Sequence, residues 1–207
     1  MSASILLLAT CYDGGSFCTF AWARKLQEDL MRQGDTCLMF DAGILCRAGT
    51  SLDDAIDRVD FVVFYGHGSA DEWTALPASP LSGMTTPLMD TANVHIIKGR
   101  KAYGGCCESL SGLGMAYAGQ FPNGAFIGYR GQFGFEVENH EYFRDVVNHS
   151  VVAFVKGDPA SKVTADLRTE WENLRDAFAH GNLKHRPNAI MASQRADENR
   201  QRVGHLP

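Results

Sequence analysis

Two five-residue apolar runs, Ile5-Leu6-Leu7-Leu8-Ala9 and Phe61-Val62-Val63-Phe64-Tyr65, constrain this chain more than any other feature. Each is too short for a helix and apolar on both faces, the pattern of a strand covered on both sides in a parallel sheet. Between them the period changes. From Phe17 to Gln33, Phe20, Ala23, Leu26, Leu30 and Met31 recur at helical spacing; Gly34-Asp35 ends that stretch, and Thr36 to Phe40 reads as a second strand. Ser51 with Asp53 and Asp54 behind it marks a helix start, where acidic side chains suit the positive end of the dipole.

The remainder alternates in the same way. Ala102 to Gly105 and Gly124 to Tyr129 read as strands, with a helix from Ser109 to Gln120 between them. Two longer helices are expected from His140 to Val155 and from Pro159 to Phe178, the second carrying Val163, Leu167, Trp171, Leu174 and Phe178 at helical spacing. Ser69 to Thr86, with Pro77, Pro80 and Ser82-Gly83, reads as a loop with at most a small hairpin, lying over the cleft with Trp73 as an apolar wall. Beyond Leu183 the chain is polar except for Ala189 to Ala192, read as a last strand. Strands separated by helices predict one α/β domain over residues 1–207, a mostly parallel sheet with helices on both faces.

Composition narrows the function. A net charge of -5 and a pI near 5.8 argue against nucleic acid or an anionic membrane as partner, since both need a basic face. Ile5 to Ala9 is too short to span a bilayer or to form a signal-peptide core. The six cysteines form no C-x-x-C pair and no H-E-x-x-H is present, so no metal is expected; a reduced, cytoplasmic protein is. G-x-S-x-G, G-x-x-x-x-G-K-[ST] and G-x-G-x-x-G are also missing, which removes the serine-hydrolase elbow and the usual phosphate cradles.

Two strand ends carry chemistry. Phe61 to Tyr65 runs into Gly66-His67-Gly68-Ser69, and Ala102-Tyr103 runs into Gly104-Gly105-Cys106-Cys107-Glu108-Ser109. Functional groups of an open parallel sheet gather past the carboxyl ends of its strands. A histidine there can raise the thiolate fraction of a nearby cysteine and return a proton to a leaving group. Flanking glycines let backbone N–H groups approach a substrate oxygen. Taken singly, each residue has an ordinary structural role: a surface histidine and a small core cysteine.

Together, an apolar strand ending in His-Gly and, about forty residues on, one ending in small-Cys-x-Ser resemble the caspase-like cysteine peptidases. That grouping holds caspases, metacaspases, gingipains, legumains, separases and bacterial CHAT proteases. Ala125-Phe126-Ile127-Gly128-Tyr129, followed by a helix containing Phe143, is most similar to the CHAT and gingipain-like branch. The resemblance implies a caspase-like three-layer sandwich of about six strands and a cysteine endopeptidase that needs no cofactor. It makes His67 the base and Cys107 the nucleophile, with Cys106 a packed neighbour, and assigns the oxyanion donors to the backbone of Gly68 and Cys107. It places substrate selection at Asp13, Gly105 and the Tyr129 to Gln132 segment, including Arg130. Asp13 favours a basic substrate side chain and Arg130 an acidic one, and a basic residue is the expectation. The partners implied are a protein or peptide substrate and a regulatory protein. An inactive caspase-like protein-binding module and a flavodoxin-like small-molecule binder are the alternatives.

Overall fold

The computed structural model describes residues 2–48, 52–77 and 85–207. In chain order its elements are β1 (Ser4–Ala9), α1 (Gly14–Arg32), β2 (Thr36–Asp41), α2 (Ala42–Ala48), α3 (Asp53–Ile56) and β3 (Phe61–Tyr65). The hairpin β4 (Glu72–Leu76) and β5 (Thr86–Asp90) follows, then β6 (Lys101–Gly105), α4 (Gly112–Gln120) and β7 (Phe126–Tyr129). The chain ends with α5 (His140–Val155), α6 (Ala160–Ala179), α7 (Ala189–Arg202) and β8 (Val203–Leu206).

Six strands form the main sheet in the order β2-β1-β3-β6-β7-β8, parallel except for the β7–β8 pair. Alternation along each strand sends successive side chains into two separate cores. Ile5, Leu7, Val63, Tyr65 and Tyr103 pack under α1, α5 and α6, whereas Leu6, Leu8, Val62, Phe64 and Ala102 face the opposite layer of α2, α3, α4 and the hairpin. The result is a three-layer α/β sandwich.

Register decides where the loops emerge. Ala9 lies level with Tyr65, and Tyr65 with Gly105. The segments after β1, β3 and β6 therefore leave the sheet at one edge. β1 has β2 on one side and β3 on the other, so the chain reverses its winding direction there; a crevice forms at such a switch point.

Three expectations need correction. Ala189 to Ala192 is the first turn of α7, not a strand: Ala189, Ala192, Ala196 and Asn199 recur at helical spacing and are all buried. Small alanines gave that face too weak an apolar signal to be read as a helix. The last strand is Val203–Leu206, so the polar stretch beyond Leu183 completes the sheet. Trp73 is no cleft wall; it is fully buried, stacked on Phe64 with ring centroids 5.0 Å apart. Around it the loop holds the small hairpin, while Pro80, Ser82 and Gly83 lie outside the described residues, as does Ser51 ahead of α3.

Candidate active site

The three level strand ends bring Asp13, His67 and Cys107 to one edge of the sheet, and glycine is what lets them approach. A Cβ on Gly66 would lie 2.3 Å from Oγ1 of Thr10, and one on Gly68 would lie 2.6 Å from Sγ of Cys106. Any larger residue at either position would push the β1, β3 and β6 ends apart.

Asp13 is the N-cap of α1. Its Oδ1 accepts the Ser16 N–H at 2.7 Å, and the Ser16 hydroxyl accepts the Asp13 N–H at 2.9 Å, a reciprocal capping box. The other carboxylate oxygen, Oδ2, is 2.9 Å from Nε2 of His67. Partial burial alone would raise the Asp13 carboxyl, but the hydrogen bonds from Ser16 and His67 outweigh it and hold the group below the ordinary carboxylate range. Asp13 is thus an ionised acceptor at neutral pH. Tyr12 stacks on the His67 ring at 5.5 Å, and burial, with Asp13 and Glu72 close by, pushes its phenol up to about 12. Both oxygens of the carboxylate expected to meet a basic substrate side chain are therefore engaged within the protein.

The two neighbouring cysteines part company. Cys106 faces the α4 layer and is fully buried; burial pushes its thiol well above the ordinary range, which keeps it protonated and hidden. Cys107 is half-buried at the sheet edge. Its sulfur receives the Phe133 N–H at 3.4 Å and lies 3.6 Å from the Phe133 carbonyl. Just beyond it Glu108 takes φ 53, and its N–H reaches the Gly131 carbonyl at 2.8 Å. A left-handed non-glycine residue costs on the order of 1 kcal/mol, and the turn that pays for it projects Cys107 out of the sheet.

Cys107 is shared by two cavities. The smaller, about 110 Å³, is walled by Gly15, Ser16, Thr19 and Gly66 together with His67, Cys107 and the rings of Phe133 and Phe135. The larger, about 370 Å³, has Gly68, Cys107, Glu108, Gln132, Phe133, Gly134, Phe135 and Arg195 as its walls. Among the described residues the N–H groups of Gly68 and Cys107 have no hydrogen-bond partner, and both residues wall the larger cavity.

Other expected positions lie apart. Gly105 is buried, and a Cβ there would meet the Tyr65 ring at 2.5 Å. Arg130 is exposed and walls neither cavity, although its N–H reaches the Arg202 carbonyl at 2.9 Å. Of the wall opposite, the expected Tyr129 to Gln132 segment supplies Gln132, while Phe133 to Phe135 and the helix that holds them were missed. Gly131 to Phe135 is stitched to α7: Asn199 receives the Gly134 N–H at 3.1 Å and donates to its carbonyl at 2.8 Å, while Arg202 donates to the Gln132 carbonyl at 2.7 Å. The Gly-Gln-Phe-Gly-Phe run straight after a strand end was the one signal that could have pointed to it.

Compared with known proteins, the chain matches no family model, and no curated protein is significantly similar to it. Among the described residues no helix is long and apolar enough to cross a membrane.

Proposed function

We propose that this protein is a cysteine peptidase in which Cys107 attacks the scissile carbonyl and His67 moves the proton, on a fold of the caspase-like kind. The observation that carries the reading is that His67 and Cys107 wall one cavity at the carboxyl edge of the sheet, with Asp13 on Nε2 of His67 from outside that cavity. Because the Asp13 carboxylate can only accept, Nε2 of neutral His67 bears the proton and Nδ1 keeps a lone pair for the thiol. His67 takes the Sγ–H proton, and the thiolate adds to the carbonyl carbon. The negative charge that forms on oxygen is met by the N–H groups of Gly68 and Cys107. Collapse of that intermediate breaks the C–N bond, His67 gives its proton to the departing amine, and a thioester remains. Water, deprotonated by His67, then attacks the thioester and releases the acid and the thiol. Every step uses side chains and backbone of this chain, with a protein or peptide as substrate.

One observation favours a second reading. The hydrogen bonds to Cys107 run to the main chain of Phe133, an arrangement equally suited to a peptide-binding module that does no chemistry. Digestion of a peptide library separates the two. Cleavage by the wild-type chain and none by Cys107→Ala supports the peptidase; intact peptides with both, together with measurable binding, support the module.

A further inference from the structure

The walls of the two cavities that share Cys107 carry, among the described residues, one permanent cation. Arg195 reaches the larger cavity from α7, an element remote in sequence from the strand ends. Its stem lies on the backbone of Gly134, where a Cβ would come within 2.9 Å of its Cδ. Its Nη1 donates to Glu198 at 3.0 Å, and its Nε is ion-paired with Glu136 at 3.9 Å. Glu198 is shared with Arg202 at 3.2 Å. Nη2 has no partner among the described residues. The guanidinium is thus fixed in place by packing and two carboxylates, one hydrogen-bonded and one more distant, with Nη2 of its planar fork left over. The unpartnered Nη2 can take a further carboxylate from the cavity side. The other charge on these walls, Glu108, is exposed and therefore screened by water, whereas the Arg195 side chain is only 35% exposed.

Resting on the peptidase reading of this cleft, we infer that Arg195 is a specificity-determining residue that binds an Asp or Glu side chain of the substrate next to the scissile bond. The Asp13 carboxylate, turned to Ser16 and His67, offers no competing site for a basic residue there.

The test uses peptides that the wild-type chain cleaves, made as isosteric Asp/Asn and Glu/Gln pairs at each position flanking the bond. Wild type is expected to favour the acidic member in kcat/KM by about tenfold or more, the range of a charge-assisted hydrogen bond. Arg195→Gln should bring that ratio to within about twofold, by lowering kcat/KM for the acidic member more than for the neutral one. Gly134→Ala, which displaces the guanidinium but keeps its charge, should lower the ratio part of the way, and Glu108→Gln should raise it. Thermal melts confirm that each variant is folded. Cleavage without a charge preference, or a preference that survives both Arg195→Gln and Gly134→Ala, overturns the inference while leaving the peptidase standing. Where no peptide is cleaved, fluorescence polarisation with the same pairs decides: binding of the acidic peptide that Arg195→Gln abolishes supports the inference against the peptidase, and equal binding of both members overturns it.

Discussion

The His67 side of Cys107 and the Arg195 side are held in place by different means. On the His67 side, three strand ends in register deliver Asp13, His67 and Cys107 directly, and the capping box of α1 fixes the carboxylate that orients the histidine. On the Arg195 side no strand end delivers a side chain. The Gly131 to Phe135 loop is tied down by Asn199 and Arg202 from a helix more than fifty residues further along. One side is rigid because the sheet is; the other is only as rigid as α7. Mutations on the first should change chemistry with little loss of stability, and mutations on the second should cost stability and selectivity together.

The largest effect that sharpens this contrast is Cys107→Ala, expected to abolish turnover in a peptide-cleavage assay with the fold intact by circular dichroism. His67→Ala comes next, with a rate lower by roughly two to four orders of magnitude, the usual worth of a general base. A rate within a few-fold of wild type would remove His67 from the mechanism. Asp13→Ala should slow cleavage by about tenfold and lower stability by about 1 kcal/mol, since a partly exposed hydrogen-bonded charge and a helix cap are lost together. An equal loss with Ser16→Ala, which breaks the cap but spares the His67 contact, would mean that Asp13 acts through α1 alone. Asn199→Ala, on the other side, should cost about 1–2 kcal/mol because it leaves the half-buried Gly134 N–H and C=O without their partner, read as a drop in Tm. If Asn199→Ala melts like wild type, the claim that α7 holds that wall fails. Cys106→Ala is the smallest: a modest stability loss of about 1 kcal/mol with turnover unchanged.

The same contrast explains what could be read from the chain. Short two-sided apolar runs fixed the strands, and glycines beside His67 and Cys107 pointed to the close approach that Gly66 and Gly68 permit. The pairing of Asp13 with His67 was not legible, because its position after β1 fits a substrate contact, a turn and a cap equally well. α7 was missed because its buried face is three alanines and an asparagine, Ala189, Ala192, Ala196 and Asn199, which no hydrophobic period reveals. Arg195 followed it into obscurity: its relation to Cys107 exists only through tertiary packing. Arg130, placed in the substrate pocket by the resemblance alone, is exposed and walls neither cavity.

The central claim is that Cys107 is a nucleophile activated by His67, and covalent labelling tests it most directly. One equivalent of an electrophilic peptide is added near neutral pH to wild type and to His67→Ala, and the adduct is located and timed by mass spectrometry. Cys11 is exposed and is the internal control for an ordinary thiol, while buried Cys18, Cys37 and Cys106 should stay unmodified in the folded protein. The account predicts rapid labelling of Cys107 in wild type, slowed at least tenfold in His67→Ala, with the rate at Cys11 the same in both. Labelling of Cys11 ahead of Cys107, or equal rates at Cys107 with and without His67, would contradict it.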